Sequence, residues 1–193
     1  RPSAMAMIDA AFAEAKDLVE ARAVLGFSHG GLPGSDHLPA VVPLVAVVCT
    51  IGPALEARVS ELAARGESAR AAVLDAVGSA AAEEVAAASN RLIRHLAAPT
   101  DLVPRPRRSP GYGAWDIREQ RALFDFLAPD DIGVTLTEQC MMVPRKSVSY
   151  VVRLDGRATA DADTDAEAVD KSTDPCDACD DPDCPYREHP MPT

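Results

Sequence analysis

The residue types with the most chemical potential lie between Arg105 and Gly113, in the sequence RPRRSPGYG. Prolines stiffen this stretch, so its arginines are unsuited to core packing, and a guanidinium is a planar set of donors that suits a carboxylate. A Pro-Gly turn brings backbone amides close to a bound molecule. Tyr112 adds an aromatic face near which a cation could lie. The residue types alone leave two alternatives open, a ligand-binding loop and a surface loop with solvated charges.

A second group is the cysteine cluster formed by Cys176, Cys179 and Cys184, with the spacing C-x2-C-x4-C. Three thiolates at this spacing can converge on one ion, which predicts zinc or an iron–sulfur cluster. The fourth ligand could be His189, Cys140, water or a substrate thiol. The chain has five cysteines, an odd number that favours a metal site over disulfides in a reducing compartment. The alternative is a tail with free thiols.

Length, composition and charge restrict the function classes. The chain has 193 residues, of which 47% are apolar and 25% charged, which is typical of a globular domain. Its net charge of −11 would repel polyphosphate, so nucleic acid is not an expected partner. No apolar run approaches the roughly 20 residues that span a bilayer, and no signal peptide is evident. We therefore expect no membrane partner and a cytoplasmic location.

The elements that must position these residues follow from periodicity and turn signals. Gly78 falls inside the longest predicted helix, where glycine predicts close packing or a ligand because it costs about 1 kcal/mol relative to alanine. Asp116 and Glu119 have capping-box spacing at the start of a later helix. Helices are predicted over 4–25, 54–65, 67–97 and from Asp116, strands over 41–52, 134–137 and 147–154, and loops over 26–39 and 99–113. The predicted domain covers residues 1–154, an acidic linker 155–175 and a cysteine-rich tail 176–193.

Several common functional motifs are missing from the sequence. The glycines of GFSHGGLPGSD follow a predicted helix, and neither GxxxxGK[ST] nor GxGxxG is present. There is no HExxH, and the four histidines are scattered. Cys49 lies in an apolar strand, which predicts an inert core residue. No catalytic nucleophile is identified, so an enzymatic activity of the chain's own is left open.

The segment RRSPGYGAWDIREQRALFDFLAPDDIGVTLTEQCMMVPRKSVSYVV resembles the activation domain of cobalamin-dependent methionine synthase. The upstream stretch TIGPALEARVSELAARGESARAAVLDAVGSAAAEEVAA and the tail CxxCxxxxCPYR are similar to free-standing members of that family, so the resemblance to the domain covers about residues 40 to 152. The family's pattern is matched in order and spacing by Arg107, Pro110-Gly111-Tyr112, Ile132-Gly133, Leu136-Thr137-Glu138, Met142, Pro144 and Ser147-Val148-Ser149.

The resemblance implies an α+β fold, an antiparallel sheet with long packing helices, and an S-adenosylmethionine site. Arg107 would hold the ligand's carboxylate, Tyr112 would lie near its sulfonium, and backbone at Ser109, Pro110 and Gly111 would contact the adenosine. Glu83 would take the α-amino group, and Glu84 competes with it because one residue of alignment slip exchanges the two.

The resemblance also implies partners. Such a domain presents the methyl group of S-adenosylmethionine to an oxidised cobalamin while a donor such as flavodoxin or ferredoxin supplies an electron. The chain has no DxHxxG corrinoid-binding motif, so the cobalamin would belong to a methionine synthase or another corrinoid-binding methyltransferase. Two departures stand out, Gln139-Cys140 after Glu138 and an acidic stretch where the family has an aromatic-rich strand. The alternatives are a metal- or iron–sulfur-bearing redox or docking module that does not use S-adenosylmethionine, and a pure interaction protein.

Overall fold

The structure, a computed structural model, describes residues 3–38 and 42–156. Within these residues the helices are α1 (Ala4–Leu18), α2 (Ala54–Ala64), α3 (Ser68–Ala97) and α4 (Gln120–Leu127). The strands are β1 (Arg22–Ser28), β2 (Leu44–Thr50), β3 (Leu102–Pro104), β4 (Thr135–Leu136), β5 (Met142–Val143) and β6 (Ser147–Gly156). Short 3-10 helices at Ile117–Glu119 and Pro129–Ile132 flank α4.

The main sheet has the strand order β1-β2-β6-β3, and each neighbouring pair is antiparallel. β4 and β5 form a separate two-stranded ribbon. The β2–β6 pairing runs from Leu44 opposite Arg153 to Thr50 opposite Ser147. The predicted α+β fold, an antiparallel sheet with long packing helices, is confirmed.

Both faces of the central strands are covered. On one face Ala46 and Val48 of β2 belong to a core that contains Trp115, and on the other face Val47 and Cys49 pack with residues of α3. Successive side chains of a strand point to opposite faces, which explains why β2 is apolar at nearly every position. Burial raises the pKa of the Cys49 thiol to about 11, and the prediction of an inert core cysteine is confirmed.

The long helix α3 packs closely on α2 at Gly78. A Cβ atom at this position would lie 2.5 Å from Cδ2 of Leu55, a fully buried side chain of α2. Of the two explanations that the sequence offered for this glycine, close packing is therefore the one observed. Although α3 has 30 residues, no helix in the described part of the chain is long and apolar enough to cross a bilayer.

The first predicted helix, 4–25, extends too far, and its last turns are wrong. The helix ends at Leu18 and the chain enters β1, which pairs with β2 from Arg22 opposite Thr50 to Ser28 opposite Leu44. The predicted loop 26–39 accordingly begins only after Ser28. Pairing with a strand some twenty residues further along the chain decides this segment, and a short apolar run carries no such information locally.

The region predicted as an extended loop, 99–113, contains β3 and continues along the edge of β6. Downstream, β6 extends to Gly156, two residues beyond the predicted strand. The remainder of the predicted linker and the cysteine-rich tail, residues 157–193, lie outside the described residues, so the domain boundaries remain predictions.

Candidate functional site

Backbone hydrogen bonds fix the arginine-rich loop against β6. The Arg105 amide donates to the Arg153 carbonyl at 2.8 Å. Arg108 and Val151 exchange both of their backbone hydrogen bonds, at 2.9 and 2.8 Å. The loop is thus an irregular extension of the sheet edge, and its side chains have defined starting points.

Arg107 reaches from this edge to α3. Its Nη2 atom lies 2.6 Å from Oε2 of Glu83, and both side chains are partly exposed, at 40% and 56%. The guanidinium carbon lies 5.8 Å from the ring centroid of Tyr150, within the range of a cation–π contact. Burial raises the pKa of Tyr150, so its hydroxyl stays protonated and donates to the carbonyl of Ala86 at 2.9 Å. An ion pair on one side and an anchored ring on the other therefore hold Arg107 in place.

The two competing glutamates of α3 have different neighbours. Glu84 pairs with Arg91 on the same helix, 2.6 Å between Oε1 and Nη2. Glu83 instead faces the loop and contacts Arg107. Of the two, the structure places Glu83 beside the predicted carboxylate-binding arginine. Its role toward a ligand remains a prediction.

The Ser109–Tyr112 segment forms a turn whose amides are engaged. The Tyr112 amide donates to the Ser109 carbonyl at 3.3 Å, and the Gly111 amide donates to the Trp115 carbonyl at 2.8 Å. Gly111 has a φ of +91°, a conformation that L side chains rarely adopt. A Cβ atom here would also lie 3.0 Å from Cδ1 of Ile117. The backbone conformation therefore requires glycine, and the limited space also favours it.

Tyr112 is strongly exposed at the surface of the described domain. Its relative exposure of 78% means that the ring projects from the turn and is not enclosed by described residues. A face that is free in this way is accessible to a cation, but the expected position beside a sulfonium is not tested by this arrangement and remains a prediction.

The sequence analysis missed a polar cluster behind the turn. The indole Nε1 of Trp115 donates to Oε2 of Glu119 at 2.9 Å, and the same oxygen accepts hydrogen bonds from the Ser35 hydroxyl and, at 3.3 Å, from the His37 amide. The His37 ring stacks on Trp115 with centroids 5.2 Å apart. Ser35 precedes Glu119 by 84 residues, so no local pattern could have revealed the cluster.

The side chain of Glu119 was predicted to complete a capping box with Asp116. Asp116 does cap, since its carboxylate accepts from the Arg118 amide at 2.8 Å. Glu119 turns instead to the cluster with Ser35, His37 and Trp115, and the predicted reciprocal bond is wrong. Burial alone would raise the pKa of Glu119, but these donors together hold it below its ordinary value. Glu119 is therefore an ionised, acceptor-only group.

The predicted metal ligands Cys176, Cys179 and Cys184, and the candidate fourth ligand His189, lie outside the described residues. Cys140, the other candidate, is buried with 3% exposure. Within the described ranges no three His, Cys, Asp or Glu side chains are grouped so that they could hold a metal ion. The zinc or iron–sulfur site remains a prediction from the sequence.

Comparison with known proteins supports the resemblance of the loop region. Residues 103–159 match the model of the family described as the vitamin B12 dependent methionine synthase activation domain, and the predicted resemblance is confirmed over this segment. The segment contains Arg107, the Ser109–Tyr112 turn and β6, whereas Glu83 lies upstream of it. No curated protein matches the chain.

A solved structure has a similar fold. The crystal structure of the MetH reactivation domain bound to AdoHcy matches this chain with a TM-score of 0.50 and 16% sequence identity. The match covers 78% of this chain and 65% of that chain, which is less than two thirds of the reactivation domain's length. At this identity the likeness establishes the fold alone.

Proposed function

We propose that this chain binds S-adenosylmethionine and presents its methyl group to the corrinoid of a partner methyltransferase of the methionine synthase type, as an accessory protein for reactivation. The match of residues 103–159 to the activation-domain family supports the proposal. The fold shared with a reactivation domain that was crystallised with AdoHcy supports it as well.

The observation that carries the proposal is the ion pair between Arg107 and Glu83, 2.6 Å apart at the surface. The amino-acid end of S-adenosylmethionine is a zwitterion, with a carboxylate and an ammonium on the same carbon. A guanidinium and a carboxylate side by side offer the complementary charges, and Arg can bind a carboxylate through two parallel hydrogen bonds. The two side chains therefore fit the predicted ligand.

Replacing the ion pair between Arg107 and Glu83 by contacts with the ligand should be energetically favourable. An exposed ion pair contributes only about 0–1 kcal/mol to stability, so opening the contact between Arg107 and Glu83 costs little. Each side chain then regains a charged partner from the ligand, and hydrogen bonds to charged groups contribute about 1.5–3 kcal/mol each. Tyr150 lies against Arg107 in either state and limits the rotamers that the arginine must lose on binding.

The chain's own contribution is to bind and to orient. Bound S-adenosylmethionine supplies the transferable methyl group. Arg107 and Glu83 hold the amino-acid end, the Ser109–Tyr112 turn presents backbone groups to the adenosine, and Tyr112 offers its ring to the sulfonium. Positioning of this kind can lower a reaction barrier without any catalytic group on the protein. The corrinoid and the electron donor, a flavodoxin or ferredoxin, would come from partner proteins.

Calorimetry with S-adenosylmethionine on anaerobically purified protein tests the proposal. We expect Arg107→Ala to weaken binding by about 10- to 100-fold, because charge-assisted hydrogen bonds to the carboxylate are lost. Glu83→Gln keeps the shape but removes the charge that would face the ammonium, and should weaken binding about tenfold.

Glu84→Gln is the matched control, because Glu84 also forms a 2.6 Å ion pair on α3 but with Arg91. It should bind like the wild type. Equal affinity of the wild type and Arg107→Ala would contradict the proposed site. Metal in the same sample together with no affinity for S-adenosylmethionine would favour the redox or docking module instead.

A further inference from the structure

The turn that presents Gly111 and Tyr112 is closed from behind by Trp115. The Trp115 carbonyl accepts from the Gly111 amide at 2.8 Å, and the Trp115 amide donates to the Tyr112 carbonyl at 3.2 Å. Both backbone groups of Trp115 are thus committed to the turn. Any displacement of this residue must break or stretch these bonds, so the shape of the turn depends on where Trp115 lies.

The side chain of Trp115 is held in turn by Glu119. The indole is 3% exposed, and its N–H donates to Oε2 of Glu119 at 2.9 Å. A buried indole N–H without an acceptor would cost about 1–3 kcal/mol. The carboxylate therefore fixes the depth and rotation of the ring, and through the backbone of Trp115 it fixes the turn.

Glu119 is anchored to a distant part of the chain. Its Oε2 atom also accepts from Ser35 and His37, in a loop whose residues Leu32 and Leu38 pack in the same core as Trp115. The His37 ring lies nearly parallel to the indole, at 14°. One oxygen atom therefore ties together the loop after β1, the indole and the start of α4.

We infer that Glu119 is a positioning residue, which through Trp115 holds the Ser109–Tyr112 turn in the geometry that binds S-adenosylmethionine. The identity of the ligand rests on the proposed function, whereas the link from Glu119 through Trp115 to the turn does not. It predicts that loss of the carboxylate loosens the turn in the free protein and weakens binding, although Glu119 does not itself contact the ligand.

The experiment compares four proteins: wild type, Glu119→Leu, Glu119→Gln and the control Glu56→Leu. The side-chain amide of the Glu119→Gln variant would retain an acceptor oxygen for the indole without the charge, and so should rescue part of the effect. Glu56 is a matched control because its carboxylate also bridges distant segments, accepting from the Arg145 amide at 2.9 Å and from the Arg145 side chain.

The first measurement is made without ligand. Hydrogen exchange of the Gly111 amide should accelerate at least about tenfold in Glu119→Leu, less in Glu119→Gln, and not in Glu56→Leu. Trp115 is the only tryptophan in the chain, so its fluorescence and its single indole N–H resonance report on the ring directly. A red-shifted emission should accompany the faster exchange.

The second measurement is the affinity for S-adenosylmethionine, which should fall at least about tenfold in Glu119→Leu and less in Glu119→Gln. Unchanged Gly111 exchange in Glu119→Leu overturns the inference, and so does an affinity equal to that of Glu56→Leu. Absence of binding by the wild type overturns the proposed function and the ligand half of the inference, while the exchange data still decide whether Glu119 holds the turn.

Discussion

Arg107 is held by neighbouring side chains while remaining accessible. Glu83 satisfies its charge and the Tyr150 ring lies within cation–π range, so Arg107 would lose little conformational entropy in the proposed binding of a ligand. The motif in which Arg107 precedes Pro-Gly-Tyr made it recognisable in the sequence. Its contact with Tyr150 was not predictable, because it depends on the register by which Arg108 lies opposite Val151.

Tyr112 is the residue at which the charge of the ligand can be tested. Its exposed ring should attract the cationic sulfonium by about 0.5–2 kcal/mol. We expect Tyr112→Leu to weaken the binding of S-adenosylmethionine more than that of S-adenosylhomocysteine, which carries a neutral thioether. Calorimetric titration with both ligands measures the difference. Tyr112→Phe keeps the aromatic face and should behave like the wild type. An equal loss for the two ligands would show that the ring does not sense the charge.

At the residue scale, the sequence identified candidates through a local motif and a resemblance, and it missed contacts between distant segments. Glu83 was favoured over Glu84 on alignment alone, and the structure places Glu83 beside Arg107. Glu119 was assigned only to a capping box with Asp116, and Trp115 had no predicted role. Their connection to Ser35 could not be seen, because 84 residues separate the two ends of the hydrogen bond.

At the scale of elements, α1 is attached to α2 and α3 by charge as well as by packing. Glu14 accepts from Nε of Arg58 at 2.6 Å and from Nη2 of Arg70 at 3.3 Å. The hydrogen bond from Arg58 is the main reason that the pKa of Glu14 lies below its ordinary value, with burial opposing it and the charge of Arg70 assisting. The Glu14 carboxylate thus links α1 to both α2 and α3.

This lowered pKa predicts a pH dependence. A carboxyl whose pKa is lower in the folded state stabilises the protein above its unfolded pKa, and the contribution disappears as pH falls through the folded value. Glu14→Gln should therefore lower the free energy of unfolding by about 1 kcal/mol near neutral pH, and the difference from wild type should vanish in acid.

Urea unfolding at a series of pH values measures this difference. Glu20→Gln is the control, because Glu20 forms a similar 2.6 Å pair with Arg22 but with both side chains about half exposed. It should change stability little at any pH. A deficit of Glu14→Gln that persists unchanged in acid would show that packing of the side chain, and not its charge, holds α1.

β1 is the element that the sequence could not assign. Residues 22–25 continue the alanine-rich pattern of α1 and have no turn signal before them, so helical periodicity extends through the boundary. Their neighbours on β2 decide the outcome, with Ala23 opposite Cys49 and Leu25 opposite Val47. α2 and α3, by contrast, were predicted closely because Gly52-Pro53 and Gly66 mark their boundaries.

At the scale of the whole molecule, β6 is the strand that joins β3 and the arginine-rich loop to the remainder of the sheet. It pairs with β2 on one side and β3 on the other, and near its end Asp155 contacts Nε of Arg105 at 2.5 Å with both side chains mostly buried. Leu102 of β3 lies opposite Gly156. The last two residues of β6 therefore belong to the structural unit, although the sequence predicted its end at residue 154.

Two truncated chains test where the unit ends. A chain that stops after Arg157 keeps all of β6 and serves as the reference. A chain that stops after Leu154 loses Asp155 and the pairing of Gly156, and its free energy of unfolding should fall by about 1–3 kcal/mol. Thermal and urea unfolding compare the two. Equal stability of both truncated chains would show that the end of β6 contributes nothing to the fold.

The pair formed by Arg107 and Glu83 has a consequence for selectivity. Arg107 and Glu83 neutralise each other. A molecule with only one sign of charge would pair with one of these side chains and leave the other without a counter-ion. A decarboxylated amine or a simple organic acid would each leave an uncompensated ion behind, and adenosine, which has no charge, would gain from neither side chain. In the proposed site, only a ligand that has both an ammonium and a carboxylate would replace both partners, so molecules that share only the nucleoside should bind more weakly.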